Sequence, residues 1–172
     1  YTILIYTDFL LQEAHHFIQE LSDQGATRVG VVGLPAMGCL PVVITLYSDN
    51  PILKRNCIES FNTIARDYNQ KLQNNLKTLQ LQLQGSGSRI AYLDICGPIL
   101  DLISGRGYAF DEVSHGCCGT GMLEASFMCN RNMPVCADAS KYMFWDSIHP
   151  TEKMNELIFQ ALRPDIDGLV KN

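Results

Sequence analysis

The chain has 172 residues, 47% of them hydrophobic and 18% charged, with a formal net charge of -5. That length and composition suit a single globular domain, 1-172, able to bury roughly 68–70% of its unfolded surface. The acidic balance argues against a nucleic-acid partner, which needs clustered Lys and Arg, and no apolar run is long enough for a membrane span.

The first residue is not Met, and no charged-then-apolar leader follows it. Either the start was processed away or the sequence is a piece of something longer. Residues 1–6 are short and apolar and fit a strand or a lead-in equally. Thr7 or Asp8 is placed to cap a helix whose apolar face is Leu10, Ala14, Phe17 and Leu21. Gly25 then stands where a helix C-terminal glycine belongs. The valine-rich run Arg28-Val29-Gly30-Val31-Val32-Gly33 suits a buried parallel strand. Leu34 to Pro41 breaks all regularity and reads as a loop at the strand's C-terminal end. Ligands bind at such ends in open α/β sheets, so this loop is either a pocket lining or a segment shaped by its two prolines and a disulfide.

From Pro51 to Leu83, apolar residues recur at three- and four-residue spacing, through Leu53, Cys57, Phe61, Ile64, Tyr68, Leu72, Leu76 and Leu79. This predicts one long amphipathic helix with Gln, Asn and Lys on its wet face. Gly85-Ser86-Gly87-Ser88 stops it, with both serines read as linker residues. Residues 89–95 read as a second buried strand, and Pro98 opens a short helix to about Ser104. Gly105 to Ala139 is irregular, a length uncommon in a compact domain unless functional or stapled. Thr151 caps a last helix carrying Met154, Leu157, Ile158 and Ala161 on one face. The rhythm of helix, strand, long helix, strand, helix is that of an α/β fold with a parallel sheet. Two parallel strands do not make an independent sheet, so the core looks incomplete.

The chemistry concentrates in Phe144-Trp145-Asp146-Ser147-Ile148-His149-Pro150. Pro150 disfavours a helical His149, which predicts a tight turn. There Asp146 would accept a hydrogen bond from one ring nitrogen of His149. The other nitrogen would be left to take a proton from a nucleophile. Ser147, between them, is a poor nucleophile because successive side chains in a turn point apart. His15 and His16 fall on a helix surface, and His115 has no partner legible in the sequence.

Four segments together resemble the plant GDSL esterase/lipase family, of the SGNH hydrolase superfamily: Gly33 to Pro41, Gly116-Cys117-Cys118-Gly119-Thr120-Gly121, Cys129-Asn130, and Tyr142 to Lys153. The resemblance implies a three-layer α/β/α parallel sheet, SGNH or flavodoxin-like. It also implies a secreted carboxylic ester hydrolase working by a Ser-His-Asp triad on small-molecule or lipid acyl esters. Asp146 would be the orienting carboxylate and His149 the general base, with no cofactor and no metal. The family's Gly-Asp-Ser and Gly-x-Asn-Asp motifs do not occur in these 172 residues. By resemblance the chain is therefore the C-terminal portion of such a domain, its sheet incomplete because the N-terminal strands are absent. It would be inactive alone. The alternatives are a catalytically inactive truncated fragment and a disulfide-stapled binding module. The sequence selects neither substrate nor oligomeric state.

Seven cysteines stand at positions 39, 57, 96, 117, 118, 129 and 136, which suits an oxidising compartment. An odd count leaves at least one thiol over if no partner chain is involved. A metal site of Cys117, Cys118, Cys129, Cys136 and His115 lacks the usual paired-ligand spacing. The reading is disulfides inside Gly105–Ala139, their pairing open, with Cys39 bonded to Cys57 and Cys96 left as the thiol.

Overall fold

A computed structural model describes residues 2–83, 85 and 87–171. The chain is mixed α/β with two short parallel sheets. Its elements are α1 (Ile3–Asp23), β1 (Arg28–Val32), a 3-10 turn (Met37–Cys39), α2 (Pro41–Tyr47), α3 (Glu59–Gln82), β2 (Arg89–Leu93), α4 (Cys96–Ile103), β3 (Glu112–Gly116), β4 (Tyr142–Phe144) and α5 (Glu152–Val170). They fall into two compact units. One comprises Tyr1–Leu34, Arg66–Asp94 and Leu162–Asn172, the other Pro35–Ala65 and Ile95–Ala161.

In the first unit β1 and β2 pair in parallel, Arg28 opposite Arg89 through Val32 opposite Leu93. The two strands expected from sequence are thus present and paired. They are less buried than their apolar character suggests: Val29 and Val31 pack inward, while Gly30 and Val32 are exposed. The core here is Leu11, Ile18, Leu72, Leu76, Leu79 and Leu83.

Helix α1 begins earlier than Thr7 or Asp8 would place it. Thr2 is its N-cap, accepting from the Ile5 N–H, so residues 3–6 are helical, while Tyr1 lies outside the described residues. The buried stripe is Thr7, Leu11 and Ile18, and Phe17 is exposed, so the inward face is rotated from the Leu10-Ala14-Phe17-Leu21 row. Gly25 closes the helix as expected, its N–H donating to the Ser22 carbonyl at 2.9 Å. His16 is exposed, but His15 is part-buried, with Nδ1 2.8 Å from Asn75 Oδ1.

The long helix is shorter than its apolar spacing predicts. Residues 51–53 form a turn and helix α3 starts at Glu59, so Pro51 is not in its first turn. Its buried row is Asn62, Ala65, Asn69, Leu72, Leu76 and Leu79, continued by Leu83 just past its end. Two asparagines assigned to a wet face are therefore core residues. Asn69 brackets Leu34, accepting from its N–H at 2.7 Å and donating to its carbonyl at 2.8 Å. In the second unit Asn62 accepts from the Gly38 N–H at 2.8 Å. Each asparagine satisfies backbone groups that irregular chain leaves without partners. Ser88 is buried too, bonded to Ser22 and the Ala26 carbonyl; Ser86 lies outside the described residues.

The second unit holds the other parallel pair, β3 with β4. Neither was legible, because Glu-Val-Ser-His-Gly and Tyr-Met-Phe are short and the first is polar. Around them pack Ala36, Cys39, Cys96, Ile99, Leu102, Met143, Phe144 and Met154. Pro41 opens α2, so the irregular segment ends there in a helix. Disulfides join Cys39 to Cys57, Cys117 to Cys136 and Cys118 to Cys129, and Cys96 is buried outside them. On α5, Met154 and Leu162 are buried and Ala161 is exposed.

Leu79 is fully buried in the first unit's core. Leu79→Ala removes apolar contact and leaves a cavity, at a cost of about 2–5 kcal/mol. A urea titration followed by circular dichroism will show a lower midpoint than for Leu81→Ala, at an exposed position of the same helix.

Candidate active site

Strand β4 ends at Phe144, and α5 begins at Glu152. The seven residues between make the turn that Pro150 predicts. Two backbone bonds close it: the Trp145 N–H donates to the His149 carbonyl at 2.8 Å, and the Thr151 N–H to the Met143 carbonyl at 3.1 Å. Thr151 Oγ1 accepts from the Met154 N–H at 3.2 Å, capping α5 as expected.

Inside this turn Asp146 is 1% exposed. Its Oδ1 accepts from the N–H groups of Ile148 at 2.8 Å and His149 at 2.7 Å. Its Oδ2 accepts from the Ser126 N–H at 2.9 Å and lies 2.7 Å from His149 Nδ1. Burial alone would raise the Asp146 carboxyl, but these hydrogen bonds, led by the His149 N–H, hold it below its ordinary value. An ionised Asp146 can only accept, so in this contact His149 Nδ1 is the donor. The His149 side chain is 53% exposed. The structure brings the two residues together as the sequence implies. The ring's second nitrogen, Nε2, makes no hydrogen bond to a described residue.

Ser147 is fully buried, and its Oγ has no hydrogen-bond partner among the described residues. Its backbone anchors the turn: the N–H donates to the Glu124 carbonyl at 2.8 Å, and the carbonyl accepts from the Val42 N–H at 3.1 Å. Helix α2 therefore holds the turn from one side. Arg55 in turn ties α2 to β3, donating to the carbonyls of Pro41 at 3.1 Å and Ser114 at 2.7 Å. Burial pulls the Arg55 guanidinium below its usual value, against the raising effect of Glu112.

The Gly116–Gly121 segment also packs against the turn. The Cys117 and Cys118 N–H groups donate to the carbonyls of Phe144 at 3.0 Å and Trp145 at 2.9 Å. A Cβ on Gly116 would lie 2.6–2.8 Å from backbone atoms of Asp146. Gly121 has φ +72°, and its Cβ would fall 2.3 Å from the Gly116 carbonyl oxygen. Both positions require glycine. Glu124 closes the loop, accepting from the Thr120 N–H at 3.0 Å and the Thr120 hydroxyl at 2.8 Å. Burial raises its carboxyl, but the bonds from Thr120 and Leu123 outweigh this and lower it to about 2.

A second carboxylate–imidazole pair, invisible to the sequence reading of His115, lies on β3. Glu112 accepts from the N–H groups of Ser114 at 2.7 Å and His115 at 3.0 Å, and its Oε2 is 3.2 Å from His115 Nδ1. The signal was the repeated spacing, Glu-x-x-His beside Asp-x-x-His. The four cysteines weighed with His115 as metal ligands are all engaged in disulfides.

Residues 7–162 match the family model described as GDSL-like lipase/acylhydrolase. The chain is 45% identical to GDSL esterase/lipase At5g45960 of Arabidopsis thaliana over 171 residues, 99% of this chain and 46% of that protein. It is 43% identical to GDSL esterase/lipase At2g31540 of the same plant, covering 95% of this chain and 44% of that protein. The chain thus spans a little under half the length of these curated relatives.

Two outcomes follow from the packing and the charges around Asp146. Gly116→Ala forces the Asp146 backbone to move, at about 1–3 kcal/mol. Its thermal midpoint will fall, and the His149 Nδ1 proton resonance will shift or broaden in NMR spectra. Glu124, depressed in the folded state, contributes stability that is fully present above its unfolded value near 4.5 and lost as pH falls through about 2. Between those values, stability measured by urea titration will therefore drop more steeply for the parent chain than for Glu124→Gln.

Proposed function

We propose that this chain, which belongs to the GDSL-like lipase/acylhydrolase family, supplies the acid and the base of a Ser-His-Asp triad in a carboxylic ester hydrolase. The observation that carries this is the 2.7 Å contact between a buried Asp146 carboxylate and the Nδ1 of a half-exposed His149. Such a pair fixes the imidazole tautomer and keeps Nε2 as the proton acceptor.

The nucleophilic serine comes from polypeptide outside these 172 residues. Its Oγ attacks the acyl carbon while His149 Nε2 takes its proton. Asp146 balances the imidazolium charge. The ring then returns the proton to the leaving alcohol, and the acyl group stays on serine. Water attacks next, losing a proton to Nε2, and that proton passes back to the serine as the acid departs. The substrates are small-molecule or lipid acyl esters, as the names of the Arabidopsis relatives suggest.

The same reading makes residues 1–172 the C-terminal portion of one GDSL esterase/lipase domain. The β1–β2 pair then belongs to a three-layer α/β/α parallel sheet whose other strands lie outside this chain. Two strands are too few for an independent sheet. Large apolar side chains on α1, among them Ile3, Tyr6, Phe9 and Phe17, are more than half exposed, as expected of a surface that further chain would cover. Secretion fits the three disulfides. No helix among the described residues is long and apolar enough to cross a membrane.

The test is a chimera joining this chain to the N-terminal part of the Arabidopsis relative At5g45960. It will hydrolyse p-nitrophenyl esters, and His149→Ala will lower kcat by about 10³-fold or more. The 172-residue chain alone will show no turnover above background. Turnover by the purified chain, lost on His149→Ala, would place the nucleophile inside it and overturn the proposal.

A further inference from the structure

Ser126 is the one residue other than glycine with positive φ among those described, at +50°. The left-handed region costs a residue with a Cβ free energy, so such a conformation persists only where its surroundings impose it. At Ser126 the imposed geometry aims the backbone N–H at Asp146 Oδ2, 2.9 Å away. That oxygen is the one facing the His149 ring, at 2.7 Å from Nδ1.

The segment is bracketed on both sides. Upstream, the Glu124 carbonyl accepts from the Ser147 N–H at 2.8 Å, next to the carboxylate it must reach. Downstream, the Cys129 N–H donates to the Ser126 carbonyl at 3.0 Å, and Cys129 is bonded to Cys118. Cys118 is itself pinned, its N–H donating to the Trp145 carbonyl at 2.9 Å. Both ends of residues 124–129 are thus tied to residues adjoining Asp146, and the strained N–H sits between the ties.

We propose that Ser126, through its backbone N–H, is a positioning residue for the Asp146–His149 pair, and that the Cys118–Cys129 bridge holds it in place. Two donors on Oδ2 fix the plane of the carboxylate, and with it the direction in which the ring is held. The Ser126 N–H also shares Oδ2, the oxygen that would otherwise face only the ring. His149 is the titratable side chain hydrogen-bonded to the carboxylate among the described residues. The inference rests on reading Asp146 and His149 as the acid and base. Its test reads the carboxyl itself rather than turnover, so the two fail separately.

The direct experiment replaces the Ser126 amide by an ester, introducing the α-hydroxy acid analogue of serine at position 126 of the oxidised 172-residue chain. This deletes the N–H and little else. The Asp146 carboxyl, followed by ¹³C NMR against pH, will show an acid dissociation constant about tenfold lower, the scale of one charge-assisted hydrogen bond. The His149 Nδ1 proton resonance will move with it. Ser126→Ala keeps the N–H and will titrate as the parent does. Cys118→Ala with Cys129→Ala will shift Asp146 in the same direction as the ester. An unchanged Asp146 titration in the ester would overturn the positioning role. An equal shift in Ser126→Ala would do the same, by assigning the effect to the side chain. If the double cysteine variant folds and titrates as the parent, the bridge has no part in it. If that variant does not fold, the bridge is required for the fold that presents the N–H, and the ester alone decides.

Discussion

A carboxylate buried to 1% exposure is the constraint around which the second unit is arranged. An unpaired ion at such depth costs several kcal/mol, and the charge persists only if donors replace the lost water. Asp146 has four, three of them backbone N–H groups whose positions are set by chain geometry rather than by rotamers. At about 1.5–3 kcal/mol for each bond to a charged group, the donors match the scale of the desolvation they offset. The result is a fixed anion whose remaining lone-pair direction points at His149.

Satisfying that anion dictates much of the local sequence. Two donors come from the turn itself, and this is why the carboxylate precedes the imidazole by three residues. The third arrives from residue 126, twenty positions earlier, and needs a loop that passes close by. Close passage in turn needs Gly116, which has Asp146 backbone where a Cβ would be. It needs the Glu124 carboxylate to gather the backbone of its own loop. The disulfides hold a segment with little apolar burial of its own: Ser126, Phe127 and Met128 are all exposed. Here cross-linking replaces the hydrophobic core as the means of limiting the open states.

What the sequence revealed follows from range. The Asp146–His149 contact spans three residues, and Pro150 disclosed its turn, so local rules sufficed. The paired strands at 28–32 and 89–93 were legible because both are apolar and bounded by turn residues. Strand β3 was not, since Glu-Val-Ser-His-Gly carries no hydrophobic signal and exists through its parallel pairing with β4. Ser126 was hidden for the same reason: nothing in Ala-Ser-Phe-Met announces a left-handed serine. Asn62 and Asn69 were hidden by residue type rather than by distance. Their positions continue the 62-65-69-72-76-79-83 spacing of the buried row, but a polar residue type predicts a side chain in water. Burial was decided by the backbone groups of Gly38 and Leu34, which needed partners.

The Glu112–His115 pair shows which features the proposed acid–base pair has and a similar carboxylate–imidazole pair lacks. Its spacing and its backbone donors repeat those of Asp146–His149, and a hydroxyl, that of Ser114, lies 3.2 Å from the ring. Yet that hydroxyl donates to Glu112 Oε1 at 2.8 Å and meets the imidazole at Nδ1, the same nitrogen the carboxylate faces. A triad needs the acid and the nucleophile on opposite ring nitrogens, because the proton must enter at one while the charge is balanced at the other. With both on Nδ1, the serine proton already belongs to the carboxylate and no transfer path crosses the ring. The two pairs also differ in burial. Glu112 keeps 29% of its side chain exposed and His115 27%, so the acid and the base are wetted alike. Around Asp146 and His149 the two differ, with the anion dry and the ring half in solvent. The proposed acid–base role calls for that second arrangement: charge strongest where it orients, and a ring nitrogen left open.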